Sequence, residues 1–201
     1  MEQTSAFSHI SALLLKTDPL MMPYAHTIAE RAVLYTLRPG ETLPAPDGEH
    51  RQSAYIMEGV IRVFCMGSDR QETTLQLLAE GGIIPRTNGY HEILDTQTHK
   101  YEALTEVLLA VWDHRALDYF LQNIPGWFQF SMKMNTYVFL KAAAEREEMF
   151  KDDASTRYLK FVERYPTIVE RIQLRHVADY LGIAPQSLSR IRQQISQQHK
   201  N

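Results

Sequence analysis

The chain has 201 residues, and its 21 Lys and Arg against 24 Asp and Glu leave a formal charge of −3. An apolar content of 44% can fill one large domain or two small ones, and no apolar run reaches the ~20 residues that a bilayer-spanning helix needs. The single cysteine, Cys65, excludes an internal disulfide framework and an iron–sulfur cluster held by several cysteines of one chain.

The N-terminus carries no basic, apolar and small-residue leader, so the expected setting is a reducing cytoplasm. The charge is unevenly spread. Residues 155–201 hold eight Lys and Arg and three Asp and Glu, giving +5, whereas residues 1–154 hold thirteen and twenty-one, giving −8. An acidic body with a basic tail points to a polyanionic partner for the tail.

In chain order, residues 5–31 have helical spacing interrupted by Pro19 and Pro23, which predicts short, broken helices. From Ala32 to Asp113 the pattern turns short and β-like. "AVLYTL" is followed by the turn signal "RPGE", and "SAYIMEGVIRVFCMG" reads as strand, tight turn at Glu58-Gly59, strand. "ETTLQLLAEGG" and "YEALTEVLLAVWD" add further strands, so an antiparallel roll or barrel is expected. "HRALDYFLQNI" predicts a short helix closed by Pro125-Gly126. The next stretch, to Phe150, has neither Gly nor Pro. Its Phe130, Met134, Tyr137, Leu140 and Ala144 form an apolar seam at helical period, which either packs on the roll or pairs with a second copy of the chain. "KDDAS" marks a break, after which Ser155 can cap the helix "TRYLKFVERY" that Pro166 ends.

The most informative stretch is "LRHVADYLGIAPQSLSRIRQQ", with no acidic residue after Asp179. Its spacing is that of a helix-turn-helix. Ala178 allows a close helix crossing, Gly182 suits a turn that needs positive φ, Pro185 suits a first helical turn, and Leu188 and Ile191 face back to Val177 and Leu181. Gln186, Ser187, Ser189, Arg190, Gln193 and Gln194 are left on the outer face. Arg and Gln form bidentate hydrogen bonds to guanine and adenine edges, and Ser189, Gln193 and Lys200 can reach phosphates. Double-stranded DNA is the partner this surface implies.

The chain resembles the Crp/Fnr family of bacterial transcription regulators from about Ala32 to Gln194, through "EGVIRVF", "EGGII" and "TRYLKFVERYP…QLRHVADYLGIAPQSLSRIR". The last stretch is most similar to a Bacteroidetes-type branch. The resemblance implies an α+β chain in three parts. Residues 1–125 would be an antiparallel β-roll of cyclic-nucleotide-binding type with N-terminal helices, 126–150 a dimerisation helix, and 151–201 an all-α helix-turn-helix domain. It implies a homodimer on a palindromic site, RNA polymerase as a further partner, and base contacts by Gln186, Ser189 and Arg190. Gln186 departs from the glutamate often found at its position. Only "QISQQHKN" follows the second helix, so the usual β-wing is expected to be absent or truncated.

The roll departs from the family pattern as well. Cyclic-nucleotide binders carry a Gly-Glu pair and an Arg-Ser/Thr-Ala run; here Pro85-Arg86 and Gln97-Thr98-His99 stand near those positions. A phosphate without its arginine lacks a charge-assisted partner, so tight cyclic AMP binding is not expected. Arg86, Tyr90, His91 and His99 are the candidate lining of a different effector pocket, with Arg86 available to an anion. The histidines show no firm metal-ligand spacing, and no nucleophile–base pair or phosphate-cradling loop occurs. No metal, cofactor or enzymatic activity is expected. The rival to a regulator is a ligand-binding or protein-interaction module of the same fold whose DNA binding has degenerated.

Overall fold

The computed structural model describes residues 2–43, 52–67, 70–85 and 99–198. Helix α1 (Glu2–Thr17) is continuous and longer than the broken helices expected there. The breaks fall after it, where Asp18 accepts the Leu20 N–H at 3.3 Å and starts a 3₁₀ turn at Pro19–Tyr24, followed by α2 (Ala25–Glu30). Ala6, Ile10 and Leu14, four residues apart, bury one face of α1.

Seven strands follow: β1 (Val33–Leu37), β2 (Ser53–Glu58), β3 (Ile61–Met66), β4 (Glu72–Leu78), β5 (Ile83–Ile84), β6 (Lys100–Ala103) and β7 (Val107–Trp112). They form two antiparallel sheets, in the orders β1-β7-β2-β5 and β4-β3-β6. β2 and β7 are buried on both faces, which is why their sequences are nearly continuous apolar runs. Ala54, Ile56, Leu109 and Val111 fill the interior of the roll. Tyr55, Met57, Ala110 and Trp112 point outward and pack under α1, α2 and the helices after β7. The Trp112 indole N–H donates to the Ile28 carbonyl at 2.8 Å and ties the roll to α2.

The Glu58-Gly59 turn is tight, as the sequence predicts, but β2 and β3 do not pair with each other. The corner carries the chain from one sheet to the other. Gly59 has φ +99°, and a Cβ there would lie 2.4 Å from the Glu106 carbonyl oxygen, so only glycine fits.

The rest of the described chain is helical: α3 (His114–Asn123), α4 (Trp127–Lys151), α5 (Ala154–Arg164), α6 (Ile168–Arg171), α7 (Leu174–Tyr180) and α8 (Pro185–Gln198). Along α4 the expected seam divides. Phe130 and Met134 are buried against the roll's helical cover, whereas Tyr137, Leu140 and Ala144 are exposed. The cap of α5 is Asp153, whose carboxylate accepts the Thr156 N–H at 2.8 Å, and not Ser155. A carboxylate is the stronger acceptor for the unpaired amides of a first helical turn. Among the described residues no helix is long and apolar enough to cross a membrane, and no group of His, Cys, Asp and Glu could hold a metal ion.

Candidate nucleic-acid interface

The helix pair α7–α8 is built around one turn. Gly182 takes φ +64°, its N–H donates to Asp179 O at 3.0 Å, and the Ile183 N–H donates to Ala178 O at 3.0 Å. These two bonds close α7 and let the chain reverse without leaving its last carbonyls unpaired. Pro185 opens α8, as its missing N–H allows. Val177, Ala178, Leu181 and Leu188 are fully or almost fully buried, with Ile191 beside them, so the two helices cross over a small, dry core shared with Tyr158, Phe161 and Ile168.

That core fixes which side of α8 faces out. Gln186, Ser187, Ser189, Arg190, Gln193 and Gln194 are all exposed. The Ser189 hydroxyl donates back to the Pro185 carbonyl at 3.1 Å, which keeps its oxygen lone pairs directed outward as acceptors. Neither Arg190 nor any of the exposed glutamines forms an ion pair with a described residue, and no acid lies on this face. α8 therefore presents a row of donors and acceptors in which the Arg190 guanidinium has no ion-pair partner among the described residues. Lys200 lies outside the described residues.

The helix pair is held against the roll by α7, not by α8. The Asp179 carboxylate accepts the backbone N–H of Thr74 at 2.9 Å and also its hydroxyl, capping the open edge of β4. Beside it, Arg62 on β3 is 6% exposed. It hydrogen-bonds Glu72, stacks over Phe64 with its guanidinium carbon 4.2 Å from the ring centre, and lies 3.3 Å from a Glu102 oxygen. That last pair is a charge contact and not a hydrogen bond, because neither atom has bonding geometry.

His176, 9% exposed, has Arg62 Nη1 at 3.4 Å from Nδ1 and Arg175 Nε at 3.3 Å from Nε2. Burial, and then the two guanidiniums, push its imidazole below the ordinary range. Sequence reasoning does not find this cluster, since Thr74 and Asp179 are 105 residues apart and no local pattern links them.

A second anchor joins α4 to the C-terminal helices. Glu145, buried on α4, accepts the Tyr165 hydroxyl at 2.6 Å and the Tyr180 hydroxyl at 3.0 Å. Burial first, with the neighbouring carboxylate, pushes both phenols well above their usual range, so they stay protonated as donors.

Of the expected effector-pocket residues, Arg86, Tyr90 and His91 lie outside the described residues. His99 is described, half-buried just before β6. Cys65 sits on β3 and is partly buried.

No protein-family model and no curated protein sequence matches the chain. Solved structures match it along most of its length. FixK2 from Bradyrhizobium japonicum superposes with a TM-score of 0.68 at 15% identity, covering 84% of this chain and 86% of that one. A regulator of the Crp/Fnr family from Eubacterium rectale gives a TM-score of 0.63 at 12% identity over 92% of this chain and 87% of that one. CLP from Xanthomonas campestris, described as a c-di-GMP responsive global regulator, gives 0.60 at 12% identity over 85% and 89%. Two antiparallel sheets, a long helix and a helix-turn-helix in this order, superposable on these proteins, give the chain the fold of the Crp/Fnr transcription regulators.

Proposed function

We propose that this chain is a homodimeric, DNA-binding transcription regulator of the Crp/Fnr type. The observation that carries the reading is the outer face of α8, which is acid-free, exposed from Gln186 to Gln194 and backed by a buried core. In this reading α8 enters a major groove. Arg190 reads guanine through O6 and N7, Gln186 reads an adenine edge, Ser187 and Gln193 contact phosphates or flanking bases, and Ser189 accepts from a base amino group or, with its hydroxyl turned away from Pro185, donates to a phosphate. Two copies related by a two-fold axis bind a palindrome with half-sites about 34 Å apart, one helical turn.

The working parts are an effector-sensing roll at 1–125, a dimerisation helix at 126–150 and a DNA-binding domain at 151–201. The setting is the cytoplasm and RNA polymerase is the downstream partner. The effector, if one acts on the roll, is other than cyclic AMP. That the fold neighbour CLP is named as responsive to a small molecule supports a sensing role for the roll.

Genomic footprinting supplies the operator, and fluorescence anisotropy with that duplex tests the assignment. Arg190→Ala is expected to weaken specific binding by about 1–3 kcal/mol and to relax preference at one base pair. Wild-type affinity should fall steeply as salt rises, because phosphate contacts release counterions. An Arg190→Ala chain that binds the operator as tightly as wild type removes Arg190 from the interface. Salt-insensitive or absent binding favours the rival, a ligand-binding or protein-interaction module with degenerate DNA binding.

A further inference from the structure

A cleft of ≈ 580 Å³ opens where the roll, α4 and the C-terminal helices meet. Its walls are the β4–β5 connection around Glu80, the α4 residues Lys141 and Glu145, and the α5–α6 connection from Arg164 to Thr167, with Lys16 of α1 at the edge. The size suits a small metabolite. The cleft is separate from the outer face of α8 and is lined by none of the residues expected for an effector pocket in the roll.

The charges in the cleft are not balanced in what they are free to do. Both carboxylates are already engaged. Glu80 accepts the Gly59 N–H at 2.8 Å and holds Arg171 at 2.8 and 3.0 Å. Glu145 takes two phenol hydroxyls and lies 3.7 Å from Arg164. Arg164 is partly spent as well, with its Nη2 on Glu148 at 2.6 Å.

Lys141 is different. It is half-buried, its Nζ lies 5.1 Å from the centre of the Tyr165 ring, and it makes no hydrogen bond or ion pair with a described residue. Burial, the largest influence on it, pushes its ammonium below the usual lysine range despite nearby Glu145. Lys16 is exposed and likewise has no ion-pair partner among the described residues. A half-buried ammonium with three unused donors gains from a charged acceptor in a way that a solvated one does not.

The geometry points to an anion-binding site in this cleft. The ligand is a small molecule bearing a carboxylate or a phosphate, held by Lys141, with Lys16 as a helper. Because its walls come from all three parts of the chain, an occupant stabilises their present arrangement by mass action. The site stands independently of whether α8 binds DNA.

The test is isothermal titration of the full chain with inorganic phosphate and with citrate at constant ionic strength, which separates phosphate from carboxylate recognition. At least one is expected to bind saturably with 1:1 stoichiometry per chain. Lys141→Met should weaken that binding at least tenfold, Lys141→Arg should retain it, and Lys16→Gln, on the surface, should weaken it two- to threefold. If Lys141→Met fails to fold, hydrogen exchange on the wild-type chain decides. The bound anion should slow exchange in 79–82 and 164–168. No binding of either probe at millimolar concentration, full binding by Lys141→Met, or protection confined to other segments overturns the site. Each of these outcomes leaves the α8 reading to its own DNA titration.

Discussion

His176 shows how a single residue can carry the pH response of an interface. A neutral imidazole offers one acceptor nitrogen and an imidazolium offers none, yet both ring nitrogens here face guanidinium donors. Protonation would set a third positive charge against Arg62 and Arg175 in a buried setting. Unfolded, the ring takes its proton near the ordinary pKa of about 6.5; folded, burial and the two arginines delay it to lower pH. Between those two values the unfolded chain binds more protons, so stability rises with pH across the window and falls as the solution is acidified below about 6.5. His176→Gln keeps an acceptor but cannot titrate. Urea midpoints at pH 7.5 and pH 5.5 should therefore differ less in His176→Gln than in wild type. An equal drop in both would assign the acid response to other groups.

At the scale of elements, two glycine corners do different work. Gly59 passes the chain between the sheets, and an added Cβ would strike the Glu106 carbonyl and lie 2.7 Å from a Val107 methyl. Gly182 joins α7 to α8 with nothing within 4 Å of an added Cβ, so its demand is for positive φ alone. Gly182→Ala should cost about 1–2 kcal/mol, the penalty for a left-handed alanine. Gly59→Ala adds steric overlap and should cost roughly 3 kcal/mol or more. Chemical denaturation of the two variants orders them; equal losses would mean that the sheet corner relaxes.

These corners also mark what the sequence discloses. Gly182, Pro185 and the apolar positions from Val177 to Ile191 are local signals at fixed spacing, so the helix-turn-helix and its outward residues were legible. So were the strands, because alternation and turn residues act within a few positions. Legibility ended where contacts are long-range. Nothing near Glu58-Gly59 indicates that β2 and β3 go to different sheets, and nothing near Asp179 indicates that it caps β4. The division of the α4 seam at Met134 depends on where the roll's cover stops, which is a tertiary fact. Asp153 displaced Ser155 as the cap of α5 by standing two residues earlier with the stronger acceptor.

On the scale of the whole molecule, α4 has two faces with different needs. Lys141 and Glu145 point toward the roll and the C-terminal helices. Phe128, Met132, Phe139 and Phe150, spaced 4, 7 and 11 residues, form a stripe roughly two fifths of a turn away, toward the opposite face. Phe139 and Phe150 on this stripe are 71% and 79% exposed. The 25-residue helix is about 37 Å long, enough to align such a stripe with its copy. Covering each aromatic would contribute about 1.5–3 kcal/mol, and a second α4 in antiphase or in register offers the matching surface. Phe139→Asp sets two carboxylates against this contact while leaving the buried faces of α4 untouched. Sedimentation velocity should show a wild-type dimer and a Phe139→Asp monomer at micromolar concentration, with the far-UV circular dichroism of the folded chain unchanged. Under the proposed function, anisotropy should then show the variant binding a full palindrome no better than a single half-site, because the two α8 helices are no longer coupled. A wild-type monomer, or a Phe139→Asp chain that stays dimeric, would mean that this stripe is not the dimer contact and that any pairing of the two α8 helices is set by another surface.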